Sequence, residues 1–407
     1  MLLFLYRILI NIVFIISPFI VLIRLLKKKE DLFRFKEKYC FFSKKRNGSK
    51  LIWFHGASVG ELLSVIPLIE KLEKNKKIKQ ILVTSSTLSS SKVFKKFKFK
   101  KTIHQFFPID TNFLSNSFIN YWKPSLAIFI DSEIWPNMLL NLKKNSIPSV
   151  LLNARITNKS FKRWKFFQNF SKKIFQCFTK AIPCNKETIR YLNFFGLKKI
   201  RFIGNLKFSQ NNSTKIIIPV KVKKFFSNKI SWCASSTHET EELYCIKSHI
   251  SLKKKYKNFV TIIIPRHTNR CEDLIETFKK NNLTVHCHSW SQDIPKNTDI
   301  YLVDTYGETN LFFNLSKVVF VGGSLIKHGG QNPLEPVRFG CRVIHGPYTE
   351  NFKEIYKLLK NLKISNKVFS ETSLTKNVKK LIKNKSESKL VIKKIRNLGV
   401  KILSFTL

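Results

Sequence analysis

The sequence predicts an α/β protein with two doubly wound halves, each a parallel sheet covered by helices. Three observations predict this fold class. At 407 residues the chain exceeds what one ordinary hydrophobic core holds, so two domains are expected. Short apolar runs alternate with amphipathic stretches in both halves, as in successive strand–helix–strand units. A polar stretch at residues 209–215 interrupts this alternation and is the predicted linker.

The first half is predicted between residues 50 and 205. Its clearest amphipathic helices are Glu61–Glu73 and Asn137–Lys144. Its candidate strands are Leu51–Ala57, Ile81–Ser85, Ile103–Pro108, Leu126–Asp131, Val150–Asn153, Ala181–Pro183 and Phe202–Gly204.

The second half repeats the same alternation. Its candidate helices are Glu239–Ser251, Cys271–Lys280, Leu334–Phe339 and Asn351–Lys360. Its candidate strands are Ser231–Ala234, Val260–Ile264, Thr284–His286, Ile300–Val303, Val318–Gly322 and Arg342–His345. Ligands in such sheets bind at the carboxyl ends of the strands, so two facing halves are expected to form a cleft.

The amino-terminal segment Leu2–Leu26 is the longest apolar run in the chain. Its charge-free stretch Ile8–Ile23 spans about 24 Å as a helix, somewhat less than the roughly 30 Å core of a bilayer. No small-residue cleavage site follows, and Lys27–Lys29 predict that this end stays cytoplasmic. Because the segment is apolar on all sides, it predicts an uncleaved anchor or a deeply seated interfacial helix. A helix docked on the protein's own surface is the alternative.

The charge is strongly positive, with 74 Lys and Arg against 25 Asp and Glu and a net charge of +49. A hydrophobic content of 43% excludes a disordered polybasic chain. The basic surface is explained by nucleic acid, an anionic membrane face, a phosphorylated substrate or solvation alone, and charge does not choose among them. The eight cysteines form no CxxC pair, which argues against a zinc ribbon, and His286-Cys287-His288 fits a strand better than a metal site.

Three motifs in the first half contain candidate residues for chemistry. Ser58 and Glu61 have the S-x-x-E spacing of a helix capping box, and Glu61 is also placed to take a proton from an incoming hydroxyl. Spacing alone favours the cap. Asp131 and Glu133 end a predicted strand as a D-x-E pair, which is a weak metal signal. Lys207 is one lysine among many.

Three second-half segments are typical of a nucleotide site. Gly322-Gly323-Ser324 ends a strand, and Gly329 to Pro336 (GGQNPLEP) opens a helix, where glycines permit close approach of a phosphate. Asp304 to Glu308 (DTYGE) forms a second loop of similar chemistry. Pro265-Arg266-His267 follows a strand and offers a guanidinium for a phosphate.

The motifs together, in this order, resemble those of the 3-deoxy-D-manno-octulosonic acid (Kdo) transferases of lipopolysaccharide synthesis, glycosyltransferase family 30, which have a GT-B architecture. The resemblance covers essentially the whole chain. It rests on SVGE, D-x-E-I-W-P-N, Asn153-Ala154-Arg155, GNLKF, STHE, PRH, D-T-x-G-E, F-V-G-G-S-L, NPLEP and Gly346-Pro347 with Asn351-Phe352.

This resemblance implies an inverting transferase that uses a CMP-Kdo donor and a lipid A precursor as acceptor. Glu61 matches the family's general base, and Asp131 and Lys207 match positions that stabilise the transition state. The segments that match the CMP site are Pro265, Arg266, Tyr306, Gly307, Glu308, Asn332, Pro333, Leu334 and Glu335. No metal or other cofactor is implied for the chemistry.

The resemblance also implies an organisation and a location. An anchor at 1–26 precedes an acceptor domain at 27–212 and a CMP-sugar domain at 213–407, both Rossmann-like, on the anionic cytoplasmic face of the inner membrane. Two departures stand out. Relatives often carry Glu where Asp131 stands, which shortens the side chain by about 1.5 Å and leaves Glu133 as a substitute. Relatives also often carry His at Gln331.

Two other functions stay open on sequence grounds. A GT-B enzyme with a different nucleotide sugar would have the same fold. A basic nucleic-acid-binding protein would explain the charge, but the sequence shows no recognition motif for it and the anchor argues against it, so no nucleic acid partner is expected.

Overall fold

The computed structural model describes residues 1–48, 50–210, 216–383 and 388–406. The chain forms two compact units, Met1–Gln210 with Gly399–Leu407, and Asn211–Leu398. The structure thus assigns the last residues to the first unit, whereas the sequence assigned them to the second half. Residues 211–215 of the predicted linker lie outside the described residues.

The first unit contains a parallel sheet of six strands in the order β3-β2-β1-β4-β5-β6. Its strands are β1 (Leu51–His55), β2 (Gln80–Ser85), β3 (Thr102–Phe106), β4 (Leu126–Ile130), β5 (Ser149–Ala154) and β6 (Lys180–Pro183). Its helices are α1 (Leu2–Leu26), α2 (Val59–Glu73), α3 (Leu88–Phe94), α4 (Asn112–Trp122), α5 (Pro136–Lys144), α6 (Asn158–Phe166), α7 (Gln168–Phe175) and α8 (Lys186–Phe194). This strand order is that of a doubly wound dinucleotide fold, as predicted.

The second unit contains a parallel sheet of seven strands in the order β13-β12-β11-β7-β8-β10-β9. Its strands are β7 (Ile230–Thr237), β8 (Phe259–Pro265), β9 (Val285–Cys287), β10 (Ile300–Leu302), β11 (Val318–Val321), β12 (Arg342–His345) and β13 (Ser365–Lys367). Its helices are α9 (Val220–Ser227), α10 (Glu241–Lys253), α11 (Cys271–Lys280), α12 (Thr309–Leu315), α13 (Leu334–Arg338), α14 (Lys353–Asn361) and α15 (Glu371–Lys383). The last helix, α16 (Ser388–Thr406), ends in the first unit.

Buried strands explain why the apolar runs are nearly continuous. All five residues of β1 and all seven of β8 are buried, because helices cover both faces of a parallel sheet. Trp53 in β1 packs on Phe118 and Phe129 in the first core, with ring centroids 4.9 and 5.3 Å apart. The second core surrounds Trp232, which is fully buried.

Two strand predictions differ from the structure. Phe202–Gly204 was predicted as a strand and is wrong, since the described chain there forms only an isolated bridge between Ile200 and Ala181. β13 was missed because its sequence, Ser-Asn-Lys, carries no apolar signal; it is held by pairing with β12.

Helix α1 packs on the first unit through its few polar residues. The Tyr6 hydroxyl donates to Asp110 Oδ2 at 2.7 Å, and Arg7 Nε donates to Asn137 Oδ1 at 3.0 Å. Past the middle of the helix, Ser17 Oγ and Tyr39 Oη lie 2.8 Å apart. Most apolar side chains of α1 remain exposed. Among the described residues, α1 is the one helix that is long and apolar enough to cross a membrane.

Candidate active site

The first unit contains a polar cavity of about 320 Å³ at the carboxyl ends of β1, β4 and β5. Glu61, Asp131 and Lys207, the three residues predicted for catalysis, all line it. β1 and β4 are neighbours at the point where the strand order reverses, and ligands bind at this point in doubly wound sheets. The topology therefore explains why residues distant in sequence meet here.

Glu61 lies in the first turn of α2 and closes a capping box with Ser58. Its Oε2 accepts hydrogen bonds from the backbone N–H groups of Ala57 at 2.7 Å and Ser58 at 3.3 Å. Ser58 Oγ accepts from the Glu61 N–H at 3.3 Å. The capping prediction is confirmed. Within the described chain no donor contacts Oε1, so the second oxygen of this carboxylate is available on the cavity wall.

The pKa of Glu61 is raised to about 7. Burial is the largest cause, followed by repulsion from the carboxylates of Glu133 and Asp131. The hydrogen bonds from Ser58 act in the opposite direction and are outweighed. A carboxyl group that titrates near neutral pH is matched to proton transfer at that pH.

Asp131 is fixed by the backbone and by two side chains. Its φ of 57° is in the left-handed region, which a residue with a Cβ rarely adopts. Asn153 Nδ2 donates to Asp131 Oδ1, and Asn153 Oδ1 accepts from the Leu206 N–H at 2.9 Å. Asp131 Oδ2 lies 3.2 Å from Lys207 Nζ. The amide of Asn153 thus joins the end of β4 to the short helical turn Leu206–Ser209 that carries the lysine.

Glu133 is engaged elsewhere. Its Oε2 accepts from Trp135 Nε1 at 2.8 Å and lies 3.0 Å from His55 Nε2. Burial alone would raise the pKa of Glu133, but the hydrogen bonds from His55 and Trp135 hold it below its ordinary value. Asp131, not Glu133, lines the cavity beside Lys207.

Six further residues line the cavity and were not among the predicted site residues: Ser58, Gly60, Ser132, Arg155, Thr157 and Ser160. Arg155 directly follows β5, and the Thr157 side chain caps α6 by accepting from the Ser160 N–H. The one sequence feature that could have identified Arg155 as a site residue is the Asn153-Ala154-Arg155 motif. In a chain with 74 Lys and Arg, one more arginine was not distinguishable by type alone.

The second unit has its own polar cavity of about 250 Å³. Three predicted residues, Arg266, Asn332 and Glu335, line it. Asn332 Nδ2 donates to Glu335 Oε1 at 3.1 Å, so these two side chains hold one another at the cavity wall. The other lining residues are Ser235, Ser236, Thr309, Phe313, Val321, Gln331 and Pro336.

The remaining predicted donor residues lie around this cavity without lining it. Pro265 is the buried last residue of β8, and Pro333 precedes α13, whose first residue, Leu334, is fully buried. Tyr306 is 74% exposed, beside Gly307, whose φ of 88° requires the left-handed region. Glu308 accepts from the Thr305 hydroxyl and lies 3.3 Å from His288 Nε2.

Sequence reasoning also missed Glu241, which is fully buried. Its carboxylate accepts from the backbone N–H groups of His238, Gly323, Ser324 and Leu325 at 2.7 to 3.0 Å. Burial raises its pKa above the ordinary value. Four main-chain donors on one carboxylate fix the glycine loop after β11 beside the cavity.

No group of three His, Cys, Asp or Glu residues within the described ranges is placed to hold a metal ion. The groups available for chemistry are the Glu61 carboxyl group, which titrates near neutral pH, and the Asp131–Lys207 pair in the first cavity. The second cavity contains Arg266.

Two doubly wound units, each with a polar cavity at the strand ends, define an α/β protein of GT-B architecture. Solved structures agree with this class. The UDP-GlcNAc 2-epimerase from Neisseria meningitidis bound to UDP-GlcNAc superposes with a TM-score of 0.60, covering 88% of this chain and 99% of that one, at 14% identity. At that identity the similarity concerns the fold alone.

Sequence comparisons define the family. The model described as 3-deoxy-D-manno-octulosonic-acid transferase matches residues 33–210. The chain is 34% identical over 343 residues to the 3-deoxy-D-manno-octulosonic acid transferase of Rickettsia bellii, covering 83% of this chain and 81% of the relative. It is 31% identical over 356 residues to that of Haemophilus influenzae, covering 86% and 83%. The chain belongs to the 3-deoxy-D-manno-octulosonic acid transferase family and is a glycosyltransferase.

Proposed function

We propose that this Kdo transferase takes Kdo from CMP-Kdo and attaches it to a lipid A precursor, with Glu61 as the general base. The observation that carries the proposal is the convergence of Glu61, Asp131 and Lys207 on one cavity. The free oxygen of Glu61 and its pKa of about 7 support a base that is partly ionised at neutral pH.

The acceptor reaction proceeds at the first-unit cavity. The acceptor hydroxyl oxygen bonds to the anomeric carbon of Kdo as the bond from that carbon to the CMP phosphate oxygen breaks. CMP leaves with the electron pair, the hydroxyl proton passes to Glu61 Oε1, and the anomeric configuration inverts. The anomeric carbon becomes cation-like in the transition state, as in other glycosyl chemistry, and the carboxylate of Asp131 stabilises that positive charge.

Lys207 supplies the complementary charge. With its ammonium 3.2 Å from Asp131 Oδ2, the pair is held as carboxylate and cation in a site only partly open to water. An ammonium so placed stabilises negative charge that develops on the departing phosphate or is carried by the sugar carboxylate. Asp131 therefore serves two purposes, since it faces the developing cation and fixes Lys207.

The donor nucleotide is assigned to the second-unit cavity. Arg266 offers a guanidinium for the single phosphate of CMP, and Asn332 and Glu335 offer amide and carboxylate partners for the ribose or base. Pro265, Tyr306, Gly307, Glu308, Pro333 and Leu334 shape the surrounding loops in this proposal.

The acceptor is proposed to be reached at a membrane surface through α1. Helix α1 is held on the first unit at two places, by Tyr6 and Arg7 near its start and by Ser17 past its middle. A helix held in this way fits a position in one leaflet better than a full crossing, with exposed side chains such as Ile15 and Phe19 in the apolar layer. We assign the protein to the anionic cytoplasmic face of the inner membrane.

The deciding experiment is a transfer assay with purified full-length protein. We expect CMP-Kdo and a lipid A precursor to give a product heavier by the mass of Kdo residues. A parallel reaction offers UDP-GlcNAc as donor. Transfer from that nucleotide and none from CMP-Kdo would overturn the donor, and transfer to a non-lipid acceptor only would overturn the acceptor.

A further inference from the structure

Three histidines of the second unit meet beside its cavity. His238 follows β7, His267 follows β8, and His328 lies in the loop after β11. The ring centroid of His238 is 4.2 Å from that of His328 and 6.0 Å from that of His267. Three imidazoles from three different loops therefore converge at the carboxyl edge of the sheet.

The surroundings of this histidine cluster (His238, His267 and His328) are basic. Arg266 and Arg270 face His238, and Arg270 is paired with Glu242 at 3.0 Å. Glu241 contacts the His238 backbone, but its carboxylate is used by main-chain N–H groups. Among the ion pairs of the described residues, none joins a carboxylate to an imidazole of the cluster.

The cluster adjoins the cavity wall. Gln331 Nε2 lies 3.2 Å from His238 Nε2, and both Gln331 and Arg266 line the cavity. A Cβ at Gly323 would lie 3.3 Å from the His238 ring and 3.4 Å from the His328 ring. Gly323 thus leaves room at the cluster, and Gln331 can turn its amide to donate to a neutral imidazole or accept from a charged one.

The free protein disfavours charge on His238. The pKa of His238 is lowered to about 4, first by burial and then by repulsion from His328, His267, Arg266 and Arg270. The cations near His238 have acidic neighbours, since Arg266 shares the cavity wall with Glu335 and Arg270 is paired with Glu242, but neither carboxylate is paired with an imidazole of the cluster among the described residues. A bound anion reverses that balance, because an opposite charge within a few ångström favours the protonated ring.

We propose that the histidine cluster is an anion subsite that takes up a proton when an anionic oxygen group of the donor binds. The proposal rests on the proposed CMP-Kdo donor. Two groups of that donor share the required chemistry, the phosphate of the nucleotide and the carboxylate of the sugar.

Proton uptake makes donor affinity depend on pH. Binding raises the pKa of the cluster, so the linked affinity is fully present at low pH and is lost as the pH rises through the pKa of the complex. Uptake of one proton corresponds to a dissociation constant that rises about tenfold per pH unit in that window. The window begins above the pKa of about 4 that His238 has in the free protein and ends at the pKa of the complex, so affinity should be measured from about pH 5 to 8.

The test measures proton stoichiometry by titration calorimetry of the full-length protein in buffers of different ionisation enthalpy. The phosphate probe is the methyl ester of CMP, whose phosphate has no exchangeable proton near neutral pH. The carboxylate probe is free Kdo, and cytidine carries neither group. Uptake of 0.5 to 1 proton, on the order of one per site, is expected with the ester if phosphate is the ligand and with Kdo if the carboxylate is. Cytidine should give none.

Variants assign the proton to the cluster. His238→Gln should remove most of the uptake and flatten the pH dependence of binding, because it removes the imidazole whose charge is disfavoured in the free protein. Thermal unfolding checks that this variant is folded, since the hydrogen bond from the residue 238 backbone N–H to Glu241 does not depend on the side chain. His286→Gln is the matched control, since His286 lies in β9 and contacts Trp290 and Tyr301 instead. It should leave the stoichiometry unchanged.

The outcomes separate this proposal from the donor assignment. If the CMP ester binds without proton uptake, and Kdo also causes no proton uptake, the anion subsite is overturned and CMP-Kdo remains the proposed donor. Equal uptake in the parent and His238→Gln overturns it as well. Failure of the CMP ester to bind, with tight binding of another nucleotide, overturns the donor and the subsite together.

Discussion

At the scale of single residues, Glu61 combines a structural task with the proposed role of general base. One oxygen closes the capping box of α2, and the other is available in the cavity. The same carboxylate is costly when ionised, since burial and two acidic neighbours raise its pKa to about 7. In the proposed mechanism, this loss of stability accompanies a base of suitable strength.

Replacing Glu61 by Gln separates the two tasks. The Gln side chain can still accept from the Ala57 N–H, so the helix start should survive, but it cannot take a proton. We expect transfer to fall by about 10²–10⁴-fold, the usual worth of a positioned base. Stability at pH 8 should equal or exceed that of the parent, because an unfavourable buried charge is removed.

The matched control is Ser58→Ala, which removes a capping hydroxyl and keeps the carboxylate. It should lose about 1 kcal/mol of unfolding free energy and retain most activity. Transfer rates are measured as the amount of product formed over time, with the product detected by its mass. Free energies of unfolding are measured by denaturant titration. If Glu61→Gln turns over near the parental rate, Glu61 is only a cap.

The pH profile gives an independent measure of the base. Glu61 must be ionised to accept the hydroxyl proton, and its pKa in the free enzyme is about 7. Below that value kcat/KM should fall about tenfold per pH unit, because the ionised fraction falls at that rate. Measurement of kcat/KM for the acceptor from pH 5 to 9 checks this, and a profile that stays flat down to about pH 5 would assign an ordinary carboxylate or a different base.

At the scale of elements, the end of α16 packs against the turn that carries Lys207. A Cβ at Gly399 would lie 2.4 Å from the Phe208 carbonyl oxygen and 3.0 Å from Ser209 Cα. Real side chains do not fit at that distance, so the helix approaches the turn only because residue 399 is glycine. Helix α16 thereby fixes the position of the turn that carries Lys207, which lines the cavity.

Gly399→Ala should displace that turn. We expect a loss of about 1–3 kcal/mol of unfolding free energy, typical of overpacking, and a larger fall in kcat than in donor binding. Gly48→Ala is the control, since a Cβ there meets no atom within 4 Å. Calorimetric donor titration and the transfer rate separate the effects; an unchanged rate in a folded Gly399→Ala protein would show that Lys207 tolerates the shift.

How much could be predicted follows from these same elements. Strands such as β1 and β8 are almost entirely apolar, so their positions could be predicted from the sequence. The Glu61 cap was readable from spacing. The Asp131–Lys207 pair was not, because 76 residues separate its partners and only the strand order brings them together. Glu241 was missed because four main-chain donors from loops leave no pattern in the sequence.

At the scale of the whole molecule, the proposed membrane binding would use both the net charge of +49 and the exposed apolar surface of α1. Basic residues attract an anionic surface over a Debye length of about 8 Å at physiological salt, and apolar side chains hold the protein there once contact is made. The two contributions differ in salt dependence, which allows them to be measured separately.

Substituting acidic residues on the exposed face of α1 should therefore abolish stable membrane binding without unfolding the protein. Ile15 and Phe19 are each 70% exposed, so Ile15→Glu with Phe19→Glu removes no core contact. Each charge costs about 2.5–3.5 kcal/mol at the bilayer centre and less near the surface, so vesicle affinity should fall about tenfold or more. The measurement is co-flotation with vesicles containing phosphatidylglycerol, at low and high salt.

The parent should stay bound at high salt, since apolar insertion is not screened, while the double variant should bind at low salt only, through its basic surface. Ile217→Glu with Phe369→Glu is the matched control, because these side chains are 86% and 67% exposed in the second unit and the charge change is the same. Circular dichroism confirms folding of both. Salt-resistant binding by the α1 variant would mean that α1 is a surface helix of the protein and that another face holds the membrane.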